Sequence, residues 1–326
     1  MSVVKSCPEI SVIMLTYNRE MFVGRAIESI IAQSFQDFEF IIVDNGSTDH
    51  SGKIAEKYAK EDLRIRVIHI SKSNIGTGRN VGLDAARGNY ITFIDDDDFA
   101  EPDMLEFLYR LAVENGADIS ICGSDKIVAG QRVPNCVFDE KILMTKEQAI
   151  ITFLKRKKYS AGMPAKLFRK TVLGDVRFSS NGKYEDIHTT YKYFAAADKV
   201  IAYGLPKYCI TRHEGNSSAF TTNDLLLTPE QLNEYFTAFR ERTQYLSEHI
   251  PAVADYAQYS EWSYMISMCN KIEKNNLTNC DRQLAFVKEE LLTHYEEFYN
   301  SPYIEEFEKE FMRKYIYPVL IERKGK

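Results

Sequence analysis

Four short apolar runs, each followed by residues at helical spacing, constrain this chain more than any other feature. They are residues 10–15 (ISVIML), 38–43 (FEFIIV), 66–70 (RVIHI) and 90–94 (YITFI). Near-continuous runs of that length suit strands covered on both faces. Phe22, Ala26, Ile27, Ile30 and Ile31 recur at helical spacing after the first run. Ile54, Ala55 and Tyr58 do so after the second. Val81, Leu83 and Ala86 follow the third, with Gly88 as the stop. Strands alternating with helices imply right-handed βαβ units, hence an α/β fold with a mainly parallel sheet flanked by helices. Further on, Pro102 opens a helix through Met104, Leu105, Leu108 and Leu111. Residues 118–122 (DISIC) read as a strand, 138–159 as a connector and a helix, and 207–211 as strand-like.

The polar ends of these runs are the second constraint. Thr16-Tyr17-Asn18, Asp44, Asn74 and the four acids Asp95, Asp96, Asp97 and Asp98 all follow strands. A parallel sheet brings such residues to one edge, where open α/β sheets bind their ligands. Adjacent carboxylates repel one another and must stay solvated or meet a cation. A hard ion such as Mg²⁺ or Mn²⁺, held by one or two carboxylates and completed by phosphate oxygens, meets that need. An acidic turn capping the next helix through Asp98 or Asp103 is the alternative.

Composition narrows the classes. The 326 residues suffice for one large domain with an appendage, or for two domains. A net charge of −6 argues against a nucleic-acid binder that neutralises phosphates over a broad surface. The cysteines Cys7, Cys122, Cys136, Cys209, Cys269 and Cys280 lack CxxC pairing. They read as small core residues in a reducing compartment, not as a zinc site or disulfide framework. The N-terminal MSVVKSCPE lacks the apolar core of a signal peptide, and no run reaches ~18 apolar residues, so the expected location is the cytoplasm.

The ordered set TYNR at 16–19, VDNGSTD at 43–49, N-x-G…RN-x-G at 74–82 and FIDDDD at 93–98 resembles the family 2 glycosyltransferases of the GT-A fold. The resemblance is strong from residue 10 to 111, moderate to 218 and absent beyond. It implies transfer of a hexosyl or N-acetylhexosaminyl group, with inversion, from a nucleotide-diphospho-sugar to a glycan or lipid-linked acceptor. A UDP-sugar is the favoured donor, and cell-surface polysaccharide or glycan synthesis the expected setting. By the same resemblance Thr16, Tyr17 and Asn18 line the nucleotide pocket, and Asp44 accepts from the ring N–H of the base. Arg79 stands near the diphosphate, with Lys72 a second candidate. Asp95 lies near the ribose or the metal, and Asp97 holds Mn²⁺ or Mg²⁺ through the diphosphate.

This sequence departs from the family pattern at Asn45, where a second Asp is common. NIGTGRN is also two residues shorter than the usual N-x-G-x-x-x-x-R-N. Gly76 and Gly78 of that shorter loop are expected to bring backbone N–H groups towards phosphate. Asp96 is expected to point away, because alternate residues of an extended segment face opposite sides.

Tyr184-Glu185-Asp186-Ile187 resembles the family's E-D motif, with Asp186 as general base and Glu185 as its orienting neighbour. An acceptor hydroxyl is a weak nucleophile at neutral pH, and a carboxylate in reach can take its proton as the C–O bond forms. Residues 163–169 (MPAKLFR) resemble the stretch before the acceptor helix. In the late loop Arg212 is the candidate phosphate contact and His213 a candidate metal ligand.

Beyond the first domain, 1–222, the region 223–326 turns helical. Thr228 is the expected N-cap with Pro229 at the first helical position. Tyr259, Trp262, Ile266 and Cys269 mark one apolar face, Leu284, Val287, Leu291 and Leu292 another, and Phe307, Phe311, Tyr315 and Leu320 a third. This appendage is expected to pack on the catalytic domain or on a second copy in a homodimer. The alternative rests its basic, aromatic end on the inner face of an anionic membrane, against which Glu305, Glu306, Glu308 and Glu310 weigh. Two other functions stay open: a nucleotidyltransferase-like enzyme, which lacks its Gly-rich basic loop here, and a catalytically silent binding module on the same fold.

Overall fold

The computed structural model describes residues 7–213, 215–216 and 223–324. The chain divides into two compact units, Met1–Arg212 and His213–Lys326. The expected boundary after residue 222 falls beside 217–222, which lie outside the described residues.

The first unit is built on a 10-stranded sheet. Strands β1 (Ile10–Thr16), β2 (Phe38–Asp44), β3 (Ile65–His69) and β4 (Tyr90–Asp95) lie parallel in the order β3-β2-β1-β4. Helices α1 (Val23–Ile31), α2 (Ser51–Glu61) and α3 (Ile75–Ala85) connect them. Every residue of β2 is buried, as is all of β1 except Leu15, which explains their continuous apolar runs. Helix α1 buries Val23, Ala26, Ile27 and Ile30, the i, i+3, i+4, i+7 stripe of a surface helix.

After β4 the chain forms β5 (Phe99–Ala100), α4 (Met104–Asn115), β6 (Ile119–Val128), β7 (Gln131–Cys136), β8 (Lys141–Thr145) and α5 (Lys146–Lys155). Then come β9 (Lys166–Arg169), α6 (Lys170–Leu173), α7 (Glu185–Ala196) and β10 (Lys199–Thr211). The sheet continues from β4 as β9-β6-β10-β5. Strand β9 is antiparallel to both β4 and β6, while β6 and β10 are parallel. The 163–169 segment thus supplies a strand, and 138–159 holds β8 as well as a helix. Helix α4 ends at Gly116, whose φ of 57° gives the left-handed turn that closes helices.

The second unit is helical: α8 (Pro229–His249), α9 (Ala254–Asn275), α10 (Asp281–Thr293), α11 (Tyr295–Tyr299), α12 (Glu306–Phe311) and α13 (Tyr317–Lys324). Thr228 caps α8 as its sequence predicts. Its hydroxyl accepts from Gln231 N–H at 3.3 Å, and Gln231 Oε1 accepts from Thr228 N–H at 2.9 Å. Tyr259, Trp262, Ile266 and Cys269 are buried along α9. Of the third expected face, Phe311, Tyr315 and Leu320 are half-buried. Phe307 is exposed, and Met312, Ile316 and Glu308 are buried instead. The buried set is spaced by four like the expected one and starts one position on, because the inward carboxylate of Glu308 is bonded to Tyr259 and to the Glu305 N–H. Cys122, Cys209, Cys269 and Cys280 are core residues. Among the described residues no helix is long and apolar enough to cross a membrane.

Candidate active site

The sheet register gathers the polar strand ends. Thr16 pairs with Asp44, Asp44 with His69, and Leu15 with Asp95, so β1, β2, β3 and β4 all end at one level. The loops beyond them are clasped together. Asn18 sits at φ 51°, a left-handed conformation that Asn tolerates. From there its Oδ1 accepts from Thr48 N–H at 2.8 Å, and its own N–H donates to Ser47 Oγ at 3.1 Å. Asp49 is a turn residue, accepting from the Ser51 and Glu20 N–H groups. Lys72 Nζ lies 3.0 Å from the centre of the Tyr17 ring, a cation on the aromatic face. Asn45 ties this edge to the next loop, exchanging hydrogen bonds with Ser73.

Asp44 is buried, with Oδ1 accepting from Ser47 N–H at 3.0 Å and Oδ2 2.8 Å from His69 Nδ1. Of these partners, His69 carries no signal in the sequence, because it lies within an apolar run and reads as a strand residue.

The four acids play different parts. Strand β4 stops at Asp95, and a tight turn follows in which Asp98 N–H donates to Asp95 O at 3.2 Å. Strand alternation therefore does not reach Asp96, and it does not point away: its Oδ2 accepts from Tyr17 N–H at 3.2 Å. Burial, and then the neighbouring Asp97, push the Asp96 carboxyl up to about 7. Arg19 Nε lies 3.7 Å from Asp96 and 3.8 Å from Asp97. Arg25 on α1 donates to Asp97 O at 2.7 Å. Asp98 faces β10, accepting from Thr211 N–H at 2.7 Å, and burial with the Asp95 and Asp97 charges drives its carboxyl well up. Tyr208 is the strut between the two: its hydroxyl accepts from Asp95 N–H at 3.1 Å and bonds to the Asp98 carboxyl.

Arg79 faces inward from α3. It donates to Asp95 Oδ1 at 3.0 Å and to Glu185 Oε1, so one guanidinium joins the end of β4 to the start of α7. Gly76 and Gly78 lie inside α3 and are buried, so they serve close packing rather than an open phosphate loop. Burial raises Glu185 to about 7 even though Arg79 pulls the other way. Asp186, in the first turn of α7, is half-buried, and the loop before β9 passes beside it at Gly162. That loop is held by Lys166, a buried lysine whose Nζ donates to Gly162 O at 2.5 Å. Burial lowers the Lys166 ammonium to about 8. Arg212 follows β10, its N–H donating to Ile127 O at 3.0 Å. His213, in the second unit, accepts at Nδ1 from Gly215 N–H at 3.1 Å, which places the proton of the neutral ring on Nε2.

Among the described residues no three acidic, histidine or cysteine side chains are disposed to hold one ion by themselves. The donor set nonetheless fits a hard divalent cation. Burial raises Asp95 against the pull of Arg79, with Asp97 adding to it, and burial with the Asp95 and Asp97 charges raises Asp98: these carboxylates repel one another, and a cation among them would relieve it. One or two carboxylate ligands with phosphate oxygens completing the shell is the usual Mg²⁺ arrangement.

Comparison with known proteins agrees with this architecture. Residues 11–176 match the model of Glycosyl transferase family 2. An uncharacterized glycosyltransferase of Bacillus subtilis, EpsJ, is 43% identical over 125 residues, covering 38% of this chain and 36% of that protein. Glycosyltransferase GlyG of Streptococcus pneumoniae is 29% identical over 216 residues, covering 64% of this chain and 72% of that protein. The Staphylococcus aureus poly(ribitol-phosphate) beta-N-acetylglucosaminyltransferase TarS is 30% identical over 221 residues, covering 65% of this chain and 37% of that protein. The crystal structure of S. aureus TarS 1-349 in complex with UDP-GlcNAc superposes with a TM-score of 0.64 at 23% identity, over 90% of this chain and 79% of that one. The chain belongs to glycosyl transferase family 2, with a GT-A-type fold.

Proposed function

We propose that the chain transfers a sugar from a UDP-sugar to an acceptor hydroxyl with inversion, using Asp186 as general base. The observation that carries this reading is the buried Arg79 bridge. It joins Asp95, at the donor strand end, to Glu185, the neighbour of Asp186, so donor and acceptor chemistry meet at one guanidinium. Family membership supports glycosyl transfer. The TarS relative favours N-acetylglucosamine as the first sugar to test and a surface polymer as the first acceptor class.

In this reading Tyr17 and Asp44 hold the nucleotide. Asp186 takes the acceptor proton as that oxygen attacks the anomeric carbon opposite the diphosphate. Glu185, pinned by Arg79, keeps the start of α7 in register with the donor. Asp95 and Asp97 would hold Mn²⁺ or Mg²⁺, which supplies Lewis-acid neutralisation of the departing diphosphate. Arg212 would add a cationic contact to the same charge.

Calorimetric titration with UDP, with and without Mn²⁺, tests the reading. Metal-dependent UDP binding is expected. Asp97→Asn should abolish it. Asp186→Asn should keep UDP binding and cut UDP release from UDP-GlcNAc by about 10²–10⁴-fold. Equal loss of binding in both variants would sink the division of roles. Absence of nucleotide binding by the folded protein would sink the donor assignment.

A further inference from the structure

We propose that His69 is a positioning residue of the donor site: its ring clamps the Asp44 carboxylate in place and thereby sets the affinity for the nucleotide base. The inference rests on the reading above that Asp44 faces the base. His69 is the last residue of β3 and pairs in register with Asp44, the last residue of β2. Its Nδ1 lies 2.8 Å from Asp44 Oδ2, and its Nε2 lies 3.0 Å from Glu56 Oε1 on α2. The other Asp44 oxygen is held by Ser47 N–H. Helix α2 comes close enough for this only because residue 52 is glycine. A Cβ there would stand 2.5 Å from Asp44 Oδ2 and 3.2 Å from His69 Cε1.

Both ring nitrogens therefore face carboxylates, Asp44 from β2 and Glu56 from α2. A neutral imidazole has one N–H and one lone pair and can satisfy only one of them, whereas the imidazolium donates to both. Its hydrogen bonds to Asp44 and then to Glu56 accordingly raise the His69 value above that of an ordinary histidine. The sign follows. The clamp is complete below the ordinary histidine value and is lost as pH rises through the raised one. Deprotonation removes the cation beside Asp44: the Nε2–H tautomer turns a lone pair on that carboxylate, and the Nδ1–H tautomer keeps the bond but loses its charge and the Glu56 anchor, so base recognition loosens.

The test is UDP titration of the full chain from about pH 5.5 to 9, across the range where histidine titrates. The titration of UDP itself is common to every variant and cancels in the comparison. Wild-type affinity should fall on the alkaline side. His69→Gln should bind UDP about five- to tenfold more weakly at low pH, the usual net scale for one hydrogen bond, and should lose that alkaline limb. Glu56→Gln should keep the low-pH affinity and move the limb to lower pH, a readout that a merely structural role would not move. Unchanged affinity and pH dependence in His69→Gln would overturn the proposal while leaving the donor reading intact. Absence of UDP binding in the wild type would remove both. An imidazole NMR titration unaffected by Asp44→Asn would overturn the clamp whatever the nucleotide does.

Discussion

Arg79 is a largely buried cation ringed by Glu185, Asp95 and Asp186. Burial alone would lower its value, yet those neighbouring charges outweigh it and hold the guanidinium above the usual arginine range. The acids gain less from the arrangement, since Glu185 is still pushed up to about 7. Removing the cation leaves the buried Glu185 carboxylate uncompensated, with the half-exposed Asp95 beside it. Arg79→Met should therefore destabilise the protein by about 3–5 kcal/mol in urea unfolding, the usual scale for breaking a buried pair. Arg79→Lys should fall between, because a single ammonium cannot fork to both acids. A loss under about 1 kcal/mol in Arg79→Met would mean the bridge is not made in solution.

At the scale of elements, α3 shows how close packing serves the site. Gly78 meets the side chain of Leu15 on β1, while Gly76 meets the backbone carbonyl of Ser179 and comes near Glu185. A methyl at residue 78 can be absorbed by a turning leucine. A methyl at residue 76 must move the chain that leads into α7. Gly78→Ala should cost about 1–3 kcal/mol of overpacking, partly offset by better helix propensity, with activity kept. Gly76→Ala should cost more and also slow UDP release from UDP-GlcNAc by at least about tenfold, because a small displacement of Glu185 and Asp186 misplaces the base. Equal kinetics in the two variants would remove the link.

The same contrast explains what the sequence makes legible. β1, β2 and β4 declare themselves because both faces are covered, and the edge strand β3 does so only through Ile65, Val67 and Ile68. β7 is polar, carries Pro134 and pairs only with β6, so neither alternation nor apolarity marks it. β9 is four residues long and opens on a buried lysine. Among site residues, the acids and Arg79 stand out by type and spacing. His69 and Tyr208 do not, because their roles depend on which strands become neighbours, and neither residue is unusual for a strand.

At the scale of the whole molecule, the two units offer separate readouts. The chain's single tryptophan, Trp262, is buried in the helical unit, stacked on His294 at 5.1 Å and packed against Phe298 at 6.0 Å. Tyr259 joins the same cluster, and its hydroxyl donates to Glu308 Oε2 at 2.9 Å. That carboxylate also accepts from Glu305 N–H at 2.8 Å, so one buried acid both caps α12 and ties it to α9. Glu308→Ala removes the cap and strands a buried phenol, two losses that together come to about 2–4 kcal/mol. Glu308→Gln keeps an acceptor and should lose less than half of that. The Trp262 fluorescence transition should move to lower denaturant in that order. UDP affinity should stay unchanged, because every residue proposed to hold the nucleotide base or act as the base catalyst lies in Met1–Arg212. If Glu308→Ala weakened UDP binding while the protein remained folded, the helical unit would have to be counted as part of the donor machinery rather than as a separately stabilised body.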